Sequence, residues 1–159
     1  MKDVLQVLEQ DARATPEQIA AMTGRSADEV RDIVRAAEAD RTIVRYRTVV
    51  NWEKTGEEQV WALIEVKVTP QRDVGFDSIA ERIARFPEVW SVSLASGDFD
   101  LVVMVVGRTM QEVSAFVSGK LAPLAPVQGT NTHFLLKRYK EDGVILEGDE
   151  QPQRLPVAP

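Results

Sequence analysis

Residues 91–106 read SVSLASGDFDLVVMVV, from Ser91 to Val106. Two apolar runs are joined by Ser96-Gly97-Asp98-Phe99-Asp100, where a glycine that tolerates positive φ is followed by two carboxylates two residues apart. This pattern predicts a β-hairpin with an acidic tip. The incoming run alternates, which places Trp90, Val92 and Leu94 on one face and Ser91 and Ser93 on the other. Leu101 to Val106 is apolar without interruption, so the second strand is expected at the centre of a sheet, covered on both faces.

The flanking segments give the rest of that sheet. Val60, Ala62, Ile64, Val66 and Val68 alternate with Gln59, Trp61, Leu63, Glu65 and Lys67, a strand that Pro70 ends. Phe76, Ile79, Ala80 and Ile83 mark an amphipathic helix stopping at Phe86-Pro87. After the hairpin, Thr109 caps a helix with Met110, Val113, Val117 and Leu121 on one side, and a last strand runs from about Val127 through Leu136. The order β-α-β-β-α-β specifies a ferredoxin-like sheet with both helices on one face. The other face would expose Trp61, Leu63 and one side of the central strand, so the sheets of two subunits are expected to pack on each other.

Residues 1–50 follow a different period. Val4, Leu5 and Leu8 form the stripe of a first helix. Thr15-Pro16-Glu17-Gln18 carries an N-cap hydroxyl, proline at the first helical position and the glutamine of a capping box. That second helix, through Ile19, Ala20 and Met22, stops at Gly24, and Ser26 caps a third in which Val30, Ile33, Val34 and Ala37 share a face. Helix, glycine turn and capped helix form a helix-turn-helix, winged-helix-like unit, and the chain as a whole is α+β. The unit either packs against another copy or places its third helix in a DNA groove, with Arg25, Ser26, Arg31 and Arg35 as candidate contacts. Asp28, Glu29 and Asp32 on the same helix oppose phosphate. Ile43 to Trp52 is β-prone and puts Arg45 and Arg47 on one side, a basic ridge for further phosphate contacts. The expected division is 1–50 for this domain, 51–58 for a polar linker, 59–140 for the ferredoxin-like domain and 141–159 for a partly flexible tail.

Composition narrows the chemistry. The 159 residues contain no cysteine and a single histidine, which leaves disulfides, thiolate metal sites and histidine-rich metal sites without ligands. No nucleophile–base pair is evident, so neither an enzyme nor a cofactor is expected. The net charge is −6, divided as −1 over residues 1–50 (8 basic, 9 acidic) and −5 over the remainder (11 basic, 16 acidic). Only the N-terminal third could present a basic face to nucleic acid. No apolar run approaches the roughly 20 residues that cross a bilayer, and a cytoplasmic protein is expected.

The ordered set Asp11-Ala12-Arg13, Ser26 through Glu38, Ile43-Val44-Arg45-Tyr46, Ser96 through Asp100 and Thr130-Asn131-Thr132 resembles the leucine-responsive and asparagine-synthesis regulator (Lrp/AsnC) family of transcription factors. The resemblance covers Val4 to about Tyr139. It implies a DNA-binding regulator whose C-terminal domains dimerise through their sheets, assemble further into tetramers or octamers, and bind a small effector, often an amino acid. Carried over by position, Gly97, Asp98 and Asp100 form the effector-responsive hairpin, with Thr130, Thr132 and His133 on the facing strand. Asp100 is the first choice of partner for an effector ammonium group, and a turn carboxylate bonding nearby backbone is the alternative. The sequence departs from the family where Asp32 follows Arg31, which motivates a second reading as a metabolite-sensing oligomer without DNA contact. Tetrapyrrole decarboxylases resemble the same architecture, but His133 is the only imidazole available to one.

Overall fold

The computed structural model describes residues 1–70 and 75–147. The chain divides into two compact units, Met1–Val50 together with the chain from Lys140, and Asn51–Tyr139. Among the described residues no helix is long and apolar enough to cross a membrane.

The first unit holds α1 (Lys2–Gln10), α2 (Pro16–Thr23) and α3 (Ala27–Ala39). Both α2 and α3 begin with reciprocal capping boxes, Thr15 with Gln18 and Ser26 with Glu29. Each box satisfies backbone N–H groups that the first turn leaves without helical partners. Between the two helices Gly24 takes φ +71°, the left-handed conformation that lets α2 end and the chain turn at once into the Ser26 cap. Val4, Val7, Ala14, Ile19 and Val30 make the buried core of the unit. The stripe of α1 therefore rests on Val4 and Val7, with Leu5 and Leu8 only half-buried, and Met22 of α2 is exposed.

The β-prone segment from Ile43 to Trp52 has no strand partner among the described residues, and Trp52 begins a 3-10 turn. β-prone sequence alone does not make a strand when no ladder is at hand. Glu141 and Val144–Ile145, in the expected tail, pair with Lys140, the last residue of the expected ferredoxin-like domain, as a two-stranded hairpin of Lys140–Glu141 and Val144–Ile145. Its turn is Asp142-Gly143 with φ of +46° and +81°, the residue pair that tight hairpins favour. The remainder of the expected tail, 148–159, lies outside the described residues.

In the second unit Trp52–Thr55 form one 3-10 turn closing on Gly56. Strand β1 (Val60–Val68) is followed by α4 (Asp77–Ala84), β2 (Val89–Leu94), β3 (Leu101–Gly107), α5 (Met110–Phe116) and β4 (Val127–Leu135). All pairings are antiparallel, in the order β2-β3-β1-β4. Ala62, Ile64 and Val66 of β1 and Leu101, Val103 and Val105 of β3 are fully buried beneath Ile79 and Ile83 of α4 and Val113 and Phe116 of α5. The predicted ferredoxin-like arrangement is present, including the central position of the apolar run.

Two details differ from the periodic reading. Phe116, three residues after the buried Val113, enters the core and meets Phe86 edge-on at 5.5 Å, while Met110 in the first turn is exposed; after Phe116 the helix widens into a π turn over Val117–Leu121. A bulge between Val89 and Ser91 breaks the alternation of β2. Trp90 therefore contacts Trp61, whose ring is 5.2 Å away across β3, while Val92 faces the helices and packs against the core. A bulged residue resets which face the next side chain takes, which strict alternation does not foresee.

Candidate DNA interface and effector cleft

In the first unit the candidate DNA contacts lie around the turn into α3 and along its exposed side. Ser26 is committed to its cap, accepting the Glu29 N–H at 3.2 Å while its own N–H donates to Glu29 Oε2 at 2.8 Å. The Ser26 N–H, and then the Ser26 hydroxyl donating to the same oxygen at 3.0 Å, hold the Glu29 carboxyl below its usual range. Arg25 turns back toward α1, its Nε donating to Asp3 Oδ2 at 2.8 Å and its Nη2 to Oδ1 at 3.3 Å. Arg25 first, and then the N-terminal ammonium, hold the Asp3 carboxyl far below the ordinary carboxylate range.

The arginines of α3 also have local partners. Arg31 donates to Asp28 at 2.7 Å and pairs with Glu17 of α2. Arg35 donates to Asp32 at 2.9 Å. Arg47 pairs with Asp142 and lies 4.0 Å from Glu141 in the hairpin of the same unit. Arg45 is exposed and makes no ion pair among the described residues, so the expected ridge of Arg45 and Arg47 presents one unpaired guanidinium, not two.

In the second unit the hairpin tip closes onto β1. Gly97 takes φ +141°, which favours glycine. The Asp100 carboxylate accepts the Val68 N–H at 2.9 Å and sits 3.4 Å from Lys67 Nζ, which also donates to the Asp98 carbonyl at 3.1 Å. Asp98 itself is exposed. Val66 pairs with Leu101 on one side and Thr130 on the other, so the hairpin and the start of β4 lie at the same end of the sheet.

The expected facing wall is divided by the pleat. Thr130 and Thr132 pair with the buried Val66 and Ile64 and belong to the helix-covered face, whereas His133 pairs with Leu63 on the open face. There His133 Nε2 and Asn131 Nδ2 both lie 3.1 Å from Glu65 Oε2. Sequence reasoning missed Lys67 and Glu65 as members of these groups. Their alternation with the buried residues of β1 gave the face, but not the partners that cross-strand register supplies.

The family model for the Lrp/AsnC ligand-binding domain matches residues 61–145. The chain is 46% identical to the HTH-type transcriptional regulator YugG of Bacillus subtilis, over 99% of this chain and 95% of that one. It is similar in structure to the leucine response regulatory protein LrpA of Mycobacterium tuberculosis, with TM-score 0.74, 20% identity and coverage of 92% and 97% of the two chains. It is likewise similar to the transcriptional regulator NMB0573 of Neisseria meningitidis, solved in complex with L-Met, with TM-score 0.70, 23% identity and coverage of 87% and 89%. The chain belongs to the Lrp/AsnC family of helix-turn-helix transcriptional regulators. It is a DNA-binding regulator with a C-terminal ligand-binding domain.

Proposed function

We propose that the chain binds specific duplex sites through the exposed side of α3, with Arg25, Ser26, Arg31, Arg35, Arg45 and Arg47 bordering the DNA. The observation that carries this is the pair of capped helices joined at Gly24, which leaves one side of α3 exposed while Val30 and Ala37 anchor the other. The C-terminal domain assembles as a homodimer by packing open sheet faces, and dimers assemble further into a tetramer or octamer. Half-buried Leu63, Val102, Met104 and Val106 and the exposed Leu135 form the apolar surface that such packing removes from water.

The effector is a small molecule with both ammonium and carboxylate groups, an amino acid being the simplest. It would bind at the hairpin end of the sheet, with Gly97, Asp98, Asp100, Thr130, Thr132 and His133 as candidates. Asp100 is already engaged by Val68 and Lys67, so the exposed Asp98 carboxylate is the better acceptor for ammonium and Lys67 the nearest cation for carboxylate. The site of action is the cytoplasm.

Duplex selection from a random library, followed by binding across a salt series, tests the reading; a chain that retains no duplex at low salt overturns it. The ion pairs of Arg31 and Arg35 favour one alternative, a metabolite-sensing oligomer without DNA contact. Selective thermal stabilisation by one amino acid in a chain that binds no duplex would support that alternative.

A further inference from the structure

The arginines of the helix-turn-helix unit fall into two groups, and Arg13, 4.0 Å from Asp11, belongs to the first. Arg25, Arg31, Arg35 and Arg47 each have a carboxylate partner: Asp3, Glu17 with Asp28, Asp32, and Asp142. A phosphate approaching Arg31 meets a guanidinium already shared by two acids. It must displace them or lie beside charge of its own sign. Arg41 and Arg45 belong to the other group. Both are exposed and neither makes an ion pair among the described residues.

The segment carrying them is fixed to the end of α3. The Ile43 N–H donates to the Ala37 carbonyl at 2.8 Å, the Thr42 N–H to Asp40 Oδ1 at 2.8 Å, and the Tyr46 hydroxyl to Glu38 Oε1 at 2.9 Å. Arg41 itself is held at φ +62°, an uncommon conformation for a residue with a Cβ, which turns the chain out of the helix. The nearest carboxylates in sequence, Glu38 and Asp40, are thus occupied by a phenol and an amide. They do not neutralise the two arginines.

We infer that the anchored exit segment Arg41–Arg45 is the phosphate-contacting edge of the DNA interface, while Arg31 and Arg35 remain in the carboxylate network of α2 and α3. Arg41 is a contact that the helix-turn-helix pattern alone does not assign. Cations on a segment fixed to α3 set the register in which that helix meets the bases, since phosphate contacts position and base contacts specify. This inference rests on the DNA-binding reading above.

The test is the dependence of affinity on salt, measured by fluorescence anisotropy with the full chain on a selected duplex. Arg41→Asn combined with Arg45→Gln should lower the magnitude of the log–log slope by about 2 per bound protomer and weaken all sequences alike. Asparagine tolerates positive φ, so the fold should survive, and thermal unfolding checks this. Arg45→Gln alone, which leaves the turn untouched, should lower the slope by about 1. Arg41→Lys with Arg45→Lys should restore most of the slope. Arg31→Gln with Arg35→Gln, on the side of α3 that borders the DNA but paired with carboxylates, should lower it by less than half as much as the Arg41/Arg45 pair does. An unchanged slope in the Arg41/Arg45 variants, or a loss carried by the Arg31/Arg35 variant instead, overturns the inference and leaves DNA binding standing. A wild-type chain that binds no duplex overturns both.

Discussion

The Asp100 carboxylate accepts the Val68 N–H at 2.9 Å, just past the point where the ladder between β1 and β3 ends at Val66–Leu101. The Asp100 N–H meanwhile donates to the Val66 carbonyl at 3.1 Å. One residue thus closes the ladder with its backbone and extends it by one donor with its side chain. The acidic tip is therefore fixed to the central strand before any ligand arrives.

Replacing Asp100 with alanine leaves the Val68 N–H without that acceptor, and should cost about 1.5–3 kcal/mol in urea unfolding. Asp100→Asn keeps an acceptor oxygen and should recover part of the loss. The ligand role is separated by thermal shift with amino acids: Asp98→Asn should abolish stabilisation by the effector while leaving the unliganded midpoint unchanged. If Asp100→Ala is as stable as the parent chain, Asp100 does not clamp the tip.

Asp3 gives the helical unit a pH dependence. Its carboxyl titrates far below the unfolded value of about 3.9 because Arg25 and the N-terminal ammonium favour the charged form. A depressed folded-state value means stability that is fully present above about pH 4 and is lost as pH falls toward the folded-state value. The parent chain should therefore unfold at higher temperature than Asp3→Asn at pH 7, and the gap should narrow progressively below pH 4. A gap independent of pH would assign the effect to something other than the Asp3–Arg25 pair.

Both the sheet and the helix pair were legible in the sequence because periodic burial and capping chemistry are local signals. Thr15-Pro16, Gly24 and Ser26 stand where the pattern puts them, and the uninterrupted Leu101–Val106 run is central. What was hidden depends on register and on distant partners. Trp90 changes face through a one-residue bulge, Met110 is left exposed in the first turn of its helix, and pairing with β1 decides that Thr130 takes the helix-covered face and His133 the open one. Spacing likewise marks Arg31 and Arg35 as neighbours on a helix, but the carboxylate that holds Arg31 includes one from α2, 14 residues away.

The open sheet face leads to a mutational test of assembly. Leu63→Glu or Met104→Glu places a carboxylate at the middle of the proposed dimer surface without touching the core beneath α4 and α5. In a symmetric interface each charge meets a desolvated, apolar surface. Sedimentation equilibrium should show the dimer dissociation constant raised on the order of 100-fold or more, while far-UV circular dichroism is unchanged. An unchanged assembly would exclude this face as the contact.

The carboxylates around α3 provide the reciprocal experiment on DNA. Glu17→Gln, Asp28→Asn and Asp32→Asn together release Arg31 and Arg35 and remove three exposed negative charges from the same side. Asp28 lies in the first turn of α3, where a negative charge suits the helix dipole, so the variant should lose a few tenths to about 1 kcal/mol of stability. Its duplex affinity should nonetheless rise, with the salt slope steeper by about 1 to 2 per protomer as the released guanidinium groups reach phosphate. If stability falls as stated but affinity and slope stay at the parent values across the salt series, Arg31 and Arg35 do not reach the duplex even when free. The exposed side of α3 would then not be the surface that meets DNA.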